Sequence, residues 1–388
     1  MESNKDNINL SVVNLNSYTK PVTKEVKGAD WVKYGADNEF FEYLIEIYND
    51  STTNNAIING MINQIYGKGL IVTNAKDFPL DSELFEKILK KDDLKRIIND
   101  IKLLGNAAIQ IIYNSDKSKI DKIKHFPTEN IRAGKTNDDG DIDKFYYSPD
   151  WSKVKRNTEL KPIPAFGKGK RADKVEIYYM KPYKSGSFYY SEPDYQGCIQ
   201  YCELESEISN FHINNVLNGF TPSALINFNN GQISDMDVKR TIERKITEKF
   251  TGSSNAGKFI LSFNDNKENA ATIETLDMAD AHNQFEFISK EAQEKIMVGH
   301  KITSPMLLGI KDNTGLGNNA EELKTASILF DATTIAPFRE LIIDTLEEIL
   351  EFNNMKLNFE FISLNPFSDE IVVKTEADVI EEEEKNNL

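Results

Sequence analysis

The stretch Gln284-Phe-Glu-Phe-Ile-Ser-Lys-Glu-Ala-Gln-Glu-Lys-Ile296-Met-Val-Gly-His-Lys-Ile-Thr-Ser-Pro-Met-Leu-Leu-Gly309 reads as a helix that runs into a stop. Its pattern predicts a helix from about Ala279 to Val298, and Pro305 halts the chain beyond it. A loop, Asp312-Asn-Thr-Gly-Leu-Gly-Asn-Asn319, comes next, and then the longest predicted helix, Glu321 to Asn353. Pro337 lies inside that helix. It lacks an N–H and crowds the carbonyl four residues earlier, so a kink or interruption is expected there.

Upstream, a helix is predicted from Gln196 to about Val216, with Ile199, Cys202, Leu204, Ile208 and Phe211 on its apolar positions. Gly219-Phe-Thr-Pro222 breaks it. A strand at Ala224–Phe228, a helix from Ser234 to Phe250 with Ser234 as N-cap, a strand at Lys258–Phe263 and another at Thr272–Leu276 follow. Two helices thus bracket a small α/β unit, and they run in opposite directions if that unit sits at their common end.

The N-terminal half mixes helix and strand, so the class is α+β. Residues 1–30 read as an arm that is mobile or docks on a neighbour, with one β-like run at Leu10–Val13. Phe40 to Tyr48 carry a helical apolar spacing. Ser51, Thr52 and Thr53 can cap a second helix containing Ala56, Ile57, Gly60, Met61 and Ile65. A strand at Leu70–Val72 follows. Asp92-Asp93 opens a helix striped by Leu94, Ile97, Ile98, Ile101 and Leu104, and Ala107–Tyr113 is strongly β. Residues 118–190 read as a meander that includes Lys144–Tyr147 and Val175–Met180, with an exposed basic turn at Phe166–Arg171.

The 388 residues carry 62 acidic and 46 basic side chains, a net charge of −16. That balance argues against tight nucleic-acid binding through a basic footprint. It does not exclude a protein that must let DNA slide past, since a like-charged surface repels phosphate and prevents sticking. No apolar run approaches the roughly 20 residues of a membrane span, and the polar Met1–Asp6 start does not read as a secretory signal. Cys198 and Cys202 share a helix face four residues apart. Only His212 is close enough to join them at a metal, so no metal site is expected.

Enzyme motifs fail on inspection. Gly252-Ser-Ser-Asn-Ala-Gly257-Lys258 fits G-x-x-x-x-G-K, but Phe259 stands where a phosphate loop needs Ser or Thr. A strand also follows it, where a phosphate loop opens a helix. His125, His212, His282 and His300 form no paired-histidine motif, no nucleophile elbow is present, and no carboxylate pair stands out. No catalytic residue and no cofactor is expected.

The order of elements closely resembles the portal proteins of tailed bacteriophages. Phe211-His-Ile-Asn-Asn-Val-Leu-Asn-Gly-Phe-Thr-Pro-Ser-Ala-Leu-Ile226 resembles that family's helix ending in Asn-Gly before a small-residue turn and a strand. Gly252–Leu261 resembles its g-x-x-N-a-g-k stretch. Ile296–Gly309 is similar to its I-x-x-x-F-x-V-P-P-x-L-L-G signature, with His300 in place of the usual Phe and Thr303-Ser304 near the usual Val-Pro. Ala336-Pro337-Phe338 matches a habitual Pro within a long helix.

The resemblance implies a portal-like α+β fold: a helical and β wing at 31–195, two antiparallel stem helices at 196–216 and 279–300, and a small α/β clip at 217–278. It further implies a tunnel loop leading into a long kinked wing helix at 301–353, then a short crown-like strand and acidic tail at 354–388. It implies a non-enzymatic homo-oligomeric ring, usually dodecameric, at one capsid vertex of the virion, assembled in the host cytoplasm. Double-stranded DNA would pass through without sequence readout. Other implied partners are the terminase large subunit, a head–tail adaptor, and major capsid and scaffold proteins, with no membrane. Lys311, Asn313, Gly315, Gly317, Asn318 and Asn319 would then face DNA, and Lys239, Arg240, Arg244, Lys245 and Lys249 would meet terminase or adaptor. Two alternative readings are a cytoplasmic nucleotide-binding protein or enzyme using Gly252–Lys258, and a minor capsid or head-completion protein.

Overall fold

The structure, a computed structural model, describes residues 21–217, 224–228, 241, 259–263, 281–302, 304–308 and 320–364. It mixes helix and sheet. Residues 21–30, expected to belong to an arm, fold onto the body instead. Strand β1 (Thr23–Glu25) pairs antiparallel with β2 (Val32–Tyr34), and Ala29 and Trp31 are buried, the Trp31 ring edge-on to Trp151 at 5.2 Å.

Helices α1 (Phe40–Asp50) and α2 (Thr52–Tyr66) are separated by a single residue, Ser51. Its hydroxyl accepts the Asn54 N–H at 3.3 Å, which satisfies one free donor at the start of α2. Strand β3 (Gly69–Val72) follows, then α3 (Pro79–Ile88) and α4 (Lys91–Leu104). Helix α3 has no counterpart in the sequence reading, because only Phe85 and Ile88 of it are buried and its apolar stripe is too thin to recognise.

Strand β4 (Ala107–Tyr113) is the centre of the body. It pairs antiparallel with β5 (Ile120–Phe126) along one edge. The expected single meander is in fact two sheets. Strands β6 (Ile131–Ala133), β7 (Lys144–Tyr147) and β8 (Pro162–Pro164) form their own antiparallel sheet. Strand β9 (Val175–Met180) then returns to the other edge of β4. The cause lies in β4 itself: an almost unbroken apolar run buries both faces, and both its edges need partners.

Helix α5 (Ile199–Leu217) leaves the body after a 3-10 turn at Gln196–Cys198. Strands β10 (Ala224–Phe228) and β11 (Phe259–Phe263) pair in parallel, Ala224 opposite Phe259. A parallel pair requires a crossover between its strands, which agrees with the strand–helix–strand reading; the helix at 234–250 and the strand at 272–276 lie outside the described residues. Because β11 begins immediately after Lys258, the Gly252–Lys258 stretch enters a strand and lacks the helix that a phosphate loop opens.

The chain returns through α6 (Ala281–Gly299), then α7 (Ala320–Phe330) and α8 (Ala336–Glu351). Between α7 and α8, Asp331–Ile335 widens to a π-helical turn, and Pro337 falls in the first turn of α8. The expected interruption is there, and the wider turn is how the helix accommodates a ring that cannot fit against a regular i−4 carbonyl. Strand β12 (Phe359–Ile362) pairs antiparallel with β3, and Phe359 and Phe361 enter the main core. This is the strand expected to be crown-like, and it pairs with β3 of the body. Residues 1–20 and the acidic tail from 365 lie outside the described residues.

Candidate functional site

The elements proposed from sequence to form a channel and docking end begin with the helix pair. At its root Cys198 meets Gly299, where a Cβ would lie 2.4 Å from the Cys198 side chain, so only glycine lets the backbones close. Further out Phe211 stacks on Phe285 with centroids 4.6 Å apart. Ascending numbers on α5 meet descending numbers on α6, and the two helices are antiparallel. Cys198 and Cys202 are buried and free. Burial and the Cys198 thiol push the Cys202 thiol far up, so it stays protonated. His212 sits beside the Phe285 ring, about 15 Å along the helix from Cys202 by helical rise. Among the described residues no cluster of His, Cys, Asp and Glu could hold a metal ion.

Two carboxylates of α5 fix this pair to the body. Glu205 accepts the Ser51 hydroxyl, the Thr53 N–H at 3.1 Å and the Thr53 hydroxyl at 2.5 Å. Glu203 accepts the Tyr43 hydroxyl at 2.6 Å. His300, just past α6, is fully buried. Its ring stacks on Tyr195 at 4.6 Å with planes 19° apart, and its Nε2 lies 2.8 Å from Asn54 Oδ1. The imidazole therefore does the packing work of the Phe expected there, and adds a polar tie to α2. Burial and the nearby Lys102 ammonium hold its pKa well below the usual histidine range. Lys102 is itself buried and donates to Asp194 Oδ1 at 2.7 Å, its ammonium 5.4 Å from the centroid of the Tyr195 ring.

The residues on either side of the expected tunnel loop are fixed to the body. Pro305–Leu308 forms a 3-10 turn on α2. Gln64 Nε2 donates to the Leu307 carbonyl at 3.3 Å, and a Cβ on Gly60 would lie 2.9 Å from Leu308 Cδ2. The returning α7 leads to the π turn. There Arg339 donates to the carbonyls of Gln64 at 2.7 Å and Ile65 at 3.1 Å, capping the last turn of α2. Both sides of the loop are thus referred to one helix. Lys311, Asn313, Gly315, Gly317, Asn318 and Asn319 lie outside the described residues, as do Lys239, Arg240, Arg244, Lys245 and Lys249. Of that predicted clip helix only Thr241 is described, helical and exposed.

The sequence reading missed the buried charges that hold the body. Arg132 is fully buried and donates to Asn38 Oδ1, the Asn38 carbonyl and the Glu129 and Ile131 carbonyls. Glu176 is buried and receives Lys117 at 2.5 Å and the Tyr113 hydroxyl at 2.7 Å. Single charged residues within apolar strands were the available signal, at Arg132 in Ile131–Ala133 and Glu176 in Val175–Met180.

No protein-family model matches the chain, and no curated protein matches its sequence. Its fold is nevertheless similar to that of chains in solved particle structures. It is similar to a chain in the neck of an empty gene transfer agent particle computed with C6 symmetry, with TM-score 0.55, 14% identity, and 94% of this chain and 90% of that one covered. A chain in the neck of the native particle computed with C12 symmetry matches at TM-score 0.50 and 15% identity, covering 88% and 87%. An HK97 family phage portal protein from Corynebacterium diphtheriae matches at 0.45 and 13%, covering 81% and 95%, too distant in shape to add weight.

Proposed function

We propose that this protein is a portal-type subunit, one copy of a ring at a capsid vertex through which double-stranded DNA enters and leaves a viral or virus-like particle. The observation that carries the reading is the extent of the fold likeness, 94% of this chain, to a chain of a symmetric particle neck. The symmetry of those necks supports a ring, and head-to-tail contacts that close are the geometry a ring needs. The antiparallel pair α5–α6 serves as the stem, with the unit carrying β10 and β11 as the clip and residues 31–195 as the wing. The role is structural and not enzymatic.

In this reading the loop 311–320 reaches the channel, where Asn313, Asn318, Asn319 and the single cation Lys311 touch phosphates without base readout. Lys239, Arg240, Arg244, Lys245 and Lys249 face the terminase large subunit or a head–tail adaptor, and the wing meets major capsid and scaffold proteins. The assembled ring resides in the virion and is built in the host cytoplasm. Electron microscopy of the purified chain tests the reading. Closed rings of about twelve copies, the symmetry of the C12 neck, are expected, and a chain that stays monomeric at all concentrations rejects it.

A further inference from the structure

A groove of about 310 Å³ opens between α4, α8 and the loop 181–194. Ile101, Pro337, Phe338 and Leu341 give it an apolar floor, and Pro182 and Tyr183 form a wall. That wall is oddly dressed for a free surface. Tyr183 is 93% exposed and Phe188, on the same loop, 57%. The loop is nonetheless held in shape. Lys181 donates to the Phe188 carbonyl, and Lys184 donates to the Pro193 carbonyl at 3.2 Å. Aromatic rings held out on a fixed frame beside an apolar groove mark a docking surface. Asp194 borders the groove, its Oδ1 already holding the Lys102 ammonium at 2.7 Å.

We propose that this groove seats the chain's own N-terminal segment, residues 1–20. The described chain begins at Pro21, and the paired strands β1 and β2 are already tied to the loop that walls the groove. Tyr189 donates its hydroxyl to Glu25, and Tyr34 donates to the Ser191 carbonyl at 3.2 Å. From Pro21 an extended chain reaches Val12 within roughly 30 Å, so the groove is in range. The segment has the matching chemistry. Ile8, Leu10 and Val12 alternate with Asn9 and Ser11, which gives a strand one apolar face for Tyr183, Phe338 and Leu341. Glu2 and Asp6 balance Lys5 and Lys20, so the acidic body does not repel it. Attachment to the same chain gives a high effective concentration, and a short apolar match suffices.

The test is a pair of engineered thiols in the full chain: Leu10→Cys or Val12→Cys, each combined with Tyr183→Cys, oxidised with diamide. The expected result is an intrachain disulfide in most molecules of at least one pair, migrating as a monomer on a denaturing gel without reductant. A ladder of chains linked to one another assigns the groove to a neighbour's segment and overturns the proposal, and so does the absence of any cross-link. Should the thiol variants misfold, the full chain with Leu10→Asp and Val12→Asp is read by hydrogen exchange. Amide protection across 181–192 should fall several-fold, and unchanged protection overturns the proposal.

Discussion

The body and the helix pair handle apolar surface in opposite ways. From Val32 to Phe361 the body gathers most of its large apolar side chains into a main buried cluster, with a smaller one around Trp31 and Trp151, and it closes the charges inside with specific partners: Arg132 with Asn38, Glu176 with Lys117 and Tyr113, Lys102 with Asp194. Among the described residues, the pair α5–α6 is buried mainly near its root, at Cys198, Ile199, Cys202, Ala292 and Ile296, with Ile208 the one buried position farther along α5. Farther out Ile213 is 57% exposed and Phe287 67%. One region buries most of its apolar surface within the single chain, and the other carries exposed apolar surface that a neighbouring copy would cover in the proposed ring.

That contrast breaks first in the body. Arg132→Leu should cost about 3–5 kcal/mol in chemical denaturation, because it strands buried carbonyls and the Asn38 amide that the guanidinium satisfies. A loss below about 1 kcal/mol would show that the body is not held by these buried charges.

The root of the pair should respond to pH. The folded-state pKa of His300 is lowered, so the unfolded chain takes up a proton near pH 6.5 while the folded chain does not. Stability is therefore complete above that pH and falls below it, by at most about 1.4 kcal/mol per pH unit from this residue. His300→Phe retains the stack on Tyr195 and should flatten that part of the slope between pH 6.5 and 5. An unchanged slope would mean that other groups set it.

Smaller effects sharpen the boundary between the two regions. Ser51→Ala removes an N-cap and one hydroxyl held by Glu205, and thermal unfolding should register a loss of about 1 kcal/mol. Ile213→Asp and Phe287→Asp change exposed positions, so the stability of the single chain should shift by no more than about 0.5 kcal/mol. A large loss there would mean that the outer helices are part of the chain's own core.

Much of this was legible in sequence wherever the local apolar pattern is strong. Helix α4 and strand β4 announce themselves through period and β-branched runs, and Pro337 marks the break before α8. Helix α3 escaped because two buried residues do not make a stripe. The return of β9 to β4 escaped because long-range pairing leaves no local trace. His300 was noticed as a departure, but its stack on Tyr195 depends on a residue more than a hundred positions away, beyond any local pattern. The loop and clip residues drawn from the family resemblance remain proposals, since they lie outside the described residues.

The most direct test of the central claim is the mass and symmetry of the assembled protein, compared with the Ile213→Asp, Phe287→Asp double variant. The account predicts closed rings of about twelve copies for the natural chain, the symmetry of the C12 neck. For the variant it predicts folded monomers with an unchanged circular-dichroism spectrum. A natural chain that stays monomeric, or a variant that assembles into the same rings, would contradict it.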